Sequence, residues 1–155
     1  MPDMRLFKSK GTKLEVYLRK LLFSRGLRYR TNVSSLPGSP DLVFPKFNAV
    51  IFIHGCFWHH HNCSIGHIPK SRQQFWQTKF KRTAQRDTKN LQSLAESGWR
   101  VLVVWECAIR PNPFFTIDDL TDFMECWLKG EGLPDEVTGL TPLPVLKLDI
   151  REVSK

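Results

Sequence analysis

Within ten residues, His54-Gly55-Cys56-Phe57-Trp58-His59-His60-His61-Asn62-Cys63, the sequence gathers four histidines and two cysteines. Thiolate and imidazole are soft to borderline donors, the kind that zinc prefers. Cys56, His61 and Cys63 lie within eight residues of one another, and Cys107 follows an apolar run farther along the chain. Together these four would form a Cys3His tetrahedral set that closes around a structural zinc and pins an irregular loop. The other reading is that Cys56 and Cys63 are small buried hydrophobes with the histidines facing solvent. Spacing alone does not show that Cys107 comes near. Cys126 falls on the apolar side of a later helix and reads as core.

The set leaves His54, His59 and His60 over. An imidazole near its free pKa is the usual general base at neutral pH, and a metal-pinned loop would hold it rigidly. Asp41 opens a short apolar segment whose hairpin partner runs into the histidine loop. Pairing of the two segments brings Asp41 near Ile53 and His54. A carboxylate and a histidine at neighbouring strand ends suit metal-assisted phosphodiester hydrolysis, with Asp41 offering oxygen to Mg²⁺, a hard ion. Equally, Asp41 can simply form a turn after Pro40.

Several elements must position these groups. Thr12-Lys13-Leu14-Glu15 reads as a capping box, and Leu14, Tyr17, Leu18, Leu21 and Leu22 give the helix that follows one apolar face, ended by Gly26. A strand is expected over residues 28–33. Strands over 41–44 and 49–53 should pair as a hairpin through Pro45-Lys46-Phe47-Asn48. The second is apolar throughout, as a strand in a sheet interior would be. Residues 54–67 have no regular period. Ser71 should cap a long polar helix to about Ser97, with room for one break, before a buried strand over 99–105. Thr116 should cap a last amphipathic helix carrying Leu120, Phe123, Met124 and Trp127. Beyond Gly130 no pattern emerges until residues 146–153. The order α-β-β-β-α-β-α implies an α/β fold, one domain over residues 1–155 with a central mixed sheet flanked by helices.

At 155 residues and 41% hydrophobic composition the chain suits one core and argues against disorder. No apolar run reaches the ~20 residues of a membrane span. The start, Met1-Pro2-Asp3-Met4-Arg5, has no signal-like apolar core. Without a secretory context a disulfide framework explains the four cysteines poorly. The net charge of +8 is unevenly spread. Residues 1–30 hold nine Lys/Arg against two acids and residues 68–90 seven against one, while residues 114–155 hold four against nine. Two basic blocks flanking the histidine loop would attract phosphates, although each alone also reads as a solvated helix face.

The chain resembles the very-short-patch repair mismatch endonucleases. The resemblance covers about residues 4–127 and rests on Ser35-Leu36-Pro37-Gly38-Ser39-Pro40-Asp41, on Val50-Ile51-Phe52-Ile53 running into the Cys-Phe-Trp-His-His-His string, on Phe75-Trp76, and on Gly98-Trp99-Arg100-Val101-Leu102-Val103-Val104-Trp105-Glu106-Cys107. It implies a fold like the type II restriction endonucleases and a nick on the 5′ side of the thymine in a T·G mismatch, the product of 5-methylcytosine deamination. By the same resemblance Asp41 is the central Mg²⁺ ligand, Ile53 lends its backbone carbonyl to that ion, His59 activates water and Asp87 orients His59. Glu15 and His54 match residues that hold the ion's waters or the phosphate, and Cys56, His61, Cys63 and Cys107 match the zinc ligands. Glu15 also completes the capping box, and Asp87 can be a local ion pair on a basic helix.

A T·G wobble opens more easily than a normal pair, so aromatic wedges can exploit its lower unstacking cost of about a few kcal/mol per step. Phe57, Trp58 and Trp76 are the candidates; Trp76 can instead anchor its helix in the core. Lys79, Lys81, Arg82 and Lys89 would hold phosphates, which fixes register without reading bases. Met4 and Arg5 stand where family members carry a minor-groove arm, but the arm, residues 1–11, is short. The extension over 131–155 is unexplained. The partner implied is double-stranded DNA carrying a T·G pair, with a functional link to a cytosine-5 methyltransferase. The protein is expected to be a monomer of the bacterial cytoplasm, on the nucleoid. The alternatives are a less specific restriction-type endonuclease, or a zinc-stabilised module that binds distorted DNA without cutting it.

Overall fold

A computed structural model describes residues 13–57, 59, 61–63 and 69–146. Met4, Arg5, Thr12, Trp58 and His60, named above, lie outside the described residues, as does most of the 146–153 pattern.

Hydrophobic alternation decides which way each strand faces. The sheet holds β1 (Arg30–Thr31), β2 (Leu42–Phe44), β3 (Ala49–His54), β4 (Arg100–Trp105) and β5 (Glu136–Val137), in that spatial order. β1, β2 and β3 pair antiparallel, whereas β4 and β5 run parallel to β3. Every residue of β3 is buried, as expected for a strand covered on both faces. Ala49, Ile51 and Ile53 face one core with Leu42, Phe44, Leu102 and Val104. Val50 and Phe52 face another, with Val43 and Val103. The period of two puts His54 on the second face.

The first face is covered by α1 (Lys13–Ser24), the short α3 (Glu106–Ile109) and α4 (Ile117–Leu128), with Leu18, Leu22, Ala108, Leu120, Phe123 and Trp127 in one core. The second face is covered by α2 (Gln73–Glu96), the crossover between β3 and β4. The 24 residues of α2 form one unbroken helix. Its inward stripe runs through Trp76, Phe80, Thr83 and Leu94, all buried.

The fold departs from the sequence-based expectations at four places. The strand expected over 28–33 is only two residues long. Arg72, in the left-handed conformation at φ 55°, precedes α2 without a side-chain cap, so Ser71 is not its cap. Tyr17 is 47% exposed and does not join the apolar face of α1; buried Glu15 does. Part of the unexplained extension is β5, which adds a fifth strand beside β4. There the Val103 amide donates to the Asp135 carbonyl (2.9 Å), and the Trp127 indole donates to the Asp135 carboxylate (2.9 Å).

Thr116 does cap α4: its hydroxyl accepts from the Asp119 amide (3.2 Å) and the Asp119 carboxylate accepts from the Thr116 amide (2.9 Å). Thr116→Ala removes half of this capping box. It should lower unfolding free energy by about 0.5–2 kcal/mol, measured as a lower urea midpoint with an unchanged slope.

Candidate active site and metal centre

The in-register parallel pairing of β3 with β4 ends at His54 opposite Trp105. The histidine loop leaves one strand and α3 leaves the other at the same edge of the sheet. Ligand pockets in α/β sheets gather at this carboxyl end of parallel strands, and here two side-chain clusters form.

Cys56, His61, Cys63 and Cys107 make the first cluster, with ligand atoms within 4.8 Å of one another. His61 Nδ1 lies 3.6 Å from the Cys56 sulfur and 3.6 Å from the Cys107 sulfur. Tetrahedral bonds of about 2.3 Å to sulfur and 2.0–2.1 Å to nitrogen put sulfur and nitrogen about 3.5 Å apart, so the set fits a tetrahedral metal. This brings Cys107 to the loop, the point that spacing left open. Cys126 is buried in the α4 core.

Three backbone contacts hold the cluster. The Cys56 amide donates to Glu106 Oε1 (3.1 Å), while Glu106 Oε2 pairs with Arg110. The Cys107 amide donates to the Cys56 sulfur (3.4 Å) and the Gly139 amide to the Cys107 sulfur (3.3 Å). The hydrogen bond with Cys56, then the Gly139 amide and the charge of His61, pull the Cys107 thiol down to about 6 despite its burial. That pairing, together with burial, pushes Cys56 up. Anionic sulfur is what a metal binds.

Gly139 has no sequence motif to reveal it. A Cβ there would lie 2.1 Å from the Cys107 carbonyl oxygen and 2.7 Å from its carbon. Only glycine lets the chain after β5 come so close.

The second cluster lies in a cleft of about 100 Å³ whose walls include Asp41, Ile53, His54, His59, Asp87 and Asn90. Hairpin pairing brings buried Asp41 to the end of β3, where its Oδ2 accepts from the Ile53 amide (2.7 Å). The preceding turn is tight. Gly38 has φ +77°, and a Cβ there would meet Asn90 at 3.0 Å and Phe52 at 3.1 Å. His59 Nδ1 is hydrogen-bonded to Asp87 Oδ2 on α2. A carboxylate only accepts, so Nδ1 carries a proton toward Asp87, and it is Nε2 that has the lone pair whenever the ring is neutral. The His54 and His59 rings stack, centroids 3.9 Å apart and planes 4° from parallel. Burial, and then the neighbouring His59, lower the His54 pKa to about 4 against the opposing charge of Asp87, so His54 is neutral at pH 7. Glu15 is buried on α1 and is not among the residues lining the cleft.

Two of the three aromatic wedge candidates are among the described residues, and both are buried. Phe57 and Trp76 are only 5% and 3% exposed. Phe57 meets Trp76 and Phe80 edge to face, at 5.2 and 5.6 Å. Trp76 continues the inward stripe of α2, the anchoring role left open above. Phe75 is the exposed ring, with the Arg72 guanidinium 4.3 Å over it. Beside it a groove of about 820 Å³ runs along α2, lined by Gln74, Phe75, Thr78, Lys79, Arg82, Thr83 and Arg86. Lys79 and Arg82 are thus grouped as expected. Lys81, about 200° round the helix from Lys79, does not line the groove, and neither does Lys89. Arg86, which the sequence reading missed, does. It follows Arg82 and Lys79 at intervals of four and three, a spacing that could have revealed it.

A carboxylate at a strand end, a carboxylate-held histidine 18 residues away in sequence and a basic groove alongside suit the hydrolysis of phosphodiesters in a nucleic acid. The relatives of this chain are DNA endonucleases and nicking enzymes. A family model described as DNA mismatch endonuclease Vsr matches residues 2–65. The DNA mismatch endonuclease Vsr of Escherichia coli is 42% identical over 135 residues, covering 87% of this chain and 86% of that protein. The type II nicking enzyme V.NmeAIP of Neisseria meningitidis is 50% identical over 102 residues, 66% of this chain and 73% of its own, and V.XorIIP of Xanthomonas oryzae 47% over 106, or 68% and 78%. The chain belongs to the Vsr DNA mismatch endonuclease family.

Gly139→Ala should force the backbone at Cys107 to move, an overpacking cost of about 1–3 kcal/mol. The expected result is faster loss of bound divalent metal to a chelator and a lower thermal midpoint. Release at the wild-type rate would show that the close approach does not support the cluster.

Proposed function

We propose that this protein nicks one DNA strand on the 5′ side of the thymine in a T·G mismatch, by Mg²⁺-dependent hydrolysis, and so starts short-patch repair at deaminated 5-methylcytosine. One observation carries the chemistry: the His59–Asp87 pair shares a cleft with Asp41. Pure binding of distorted DNA needs neither a carboxylate-held histidine nor a buried strand-end acid.

Mg²⁺, when bound, supplies positive charge against the developing charge on phosphorus oxygens. Asp41 and the Ile53 carbonyl are the groups we assign to hold it. His59 Nε2 takes the proton of the attacking water, and Asp87 steadies the imidazolium that forms. Neutral His54, stacked on His59, keeps that ring's orientation and offers a hydrogen bond to phosphate. Glu15, buried on α1 and outside the lining of the cleft, is assigned by the family resemblance alone as a holder of ordered water. The thiol–imidazole cluster holds zinc in a structural role, because soft donors in a closed tetrahedral set leave no open position.

Lys79, Arg82 and Arg86 line a groove that suits a phosphate backbone. Phe57, Trp58 and Trp76 form the wedge by the family resemblance, and for buried Phe57 and Trp76 this requires the loop to shift on binding. Met4 and Arg5 contact the minor groove. We assign the whole chain to one restriction-endonuclease-like domain, acting as a monomer in the bacterial cytoplasm on DNA marked by a cytosine-5 methyltransferase. No helix among the described residues is long and apolar enough to cross a membrane.

The test is nicking of a duplex with a single T·G pair, in Mg²⁺, against the matched duplex. Asp41→Ala and His59→Ala should each slow nicking by roughly 10²–10⁴-fold. Full-rate nicking by both sinks the mechanism, and equal cleavage of both duplexes favours a less specific endonuclease. In binding titrations Arg86→Ala should weaken affinity and reduce the salt slope by about one, whereas Lys81→Ala should do less.

A further inference from the structure

Trp105 stands between the two clusters and belongs to neither. It closes β4 opposite His54 and points to the α2 face of the sheet. Its indole stacks on His61 of the thiol–imidazole cluster, centroids 4.1 Å apart and planes 15° from parallel. The same indole meets His54 at 5.2 Å and 77°, and His59 at 6.1 Å and 80°. His54 and His59 are parallel to each other. One ring plane therefore rests on a metal ligand and stands square against both cleft histidines.

The buried indole N–H makes no hydrogen bond with any described residue. Among the described residues, then, hydrogen bonding gives no reason for tryptophan here, and an apolar side chain would avoid desolvating that donor. The geometry of the ring faces remains as the reason for tryptophan. Offset-stacked and edge-to-face arrangements are the preferred aromatic geometries, and each such pair stabilises beyond the area it buries. A rigid indole carries such contacts at two right-angled surfaces at once, which no aliphatic side chain does.

We propose that Trp105 is a positioning residue that transmits the order of the metal-pinned loop to the His54–His59 stack, and so sets the direction of the His59 lone pair. It touches no reacting atom and acts only through the histidines. The inference rests on the reading of His59 as the base.

The experiment compares Trp105→Leu, Trp105→Phe and His59→Ala, and the double variant Trp105→Leu/His59→Ala, on the T·G duplex in Mg²⁺. Trp105→Leu should lower kcat roughly 10- to 100-fold, the scale of a misplaced catalytic group, with KM for the duplex and the metal content unchanged. Trp105→Phe, which keeps a ring against His61, should recover most of kcat. In the His59→Ala background Trp105→Leu should have no further effect, because residues acting through one group are not additive. Should Trp105→Leu not fold, Trp105→Ile, a better strand former, takes its place.

Wild-type kcat in the aliphatic variants, a rise in KM alone, loss of metal in step with loss of rate, or full additivity with His59→Ala would each overturn the proposal. Full-rate nicking by His59→Ala would instead remove the functional reading beneath it.

Discussion

The parallel pairing of β3 with β4 is the constraint on which everything else depends. It runs in register from Ala49 with Arg100 to His54 with Trp105. Because the strands end together, the loop after one and the helix after the other begin at the same place. A slip of β3 by one residue would turn His54 to the other face, away from His59, and break its pairing with Trp105. The buried alternation of both strands forbids that slip: Ile51, Ile53, Leu102 and Val104 serve one core, and Val50, Phe52 and Val103 the other.

Two clusters then share one sheet edge, with different demands. The thiol–imidazole set needs convergence, and four backbone-tethered donors provide it. The cleft needs orientation, and His59 obtains it from Asp87 below and His54 beside it. Asp87 follows the spacing of Trp76, Phe80 and Thr83 along α2 but is only half-buried. Its pairing with His59 ties α2 to the loop.

The segment beyond α4 supports the site from a distance. β5 extends the sheet beside β4, and Gly139 brings an amide to the Cys107 sulfur. Arg100, at the opposite end of β4, donates to the carbonyls of Trp127 (2.8 Å) and Leu128 (2.6 Å) and lies over the Trp127 ring, so α4 is anchored where the extension begins. A tail that looks irregular in composition is part of the frame of the thiol–imidazole cluster.

Much of this was legible in the residues. Thiols and imidazole at short spacing announced the metal cluster, hairpin logic placed Asp41 near Ile53, and Thr116 signalled its helix, because each depends on local chemistry over a few residues. The family resemblance supplied the roles proposed for His59 and Asp87. What tertiary structure alone decided is the set of approaches between distant segments: Cys107 to the loop, Gly139 to Cys107, Trp105 between two clusters, and Phe57 with Trp76 inside an aromatic core. Burial is a property of what packs opposite, so a Phe in a polar loop or a Gly in an acidic tail carries no mark of it until the sheet has closed.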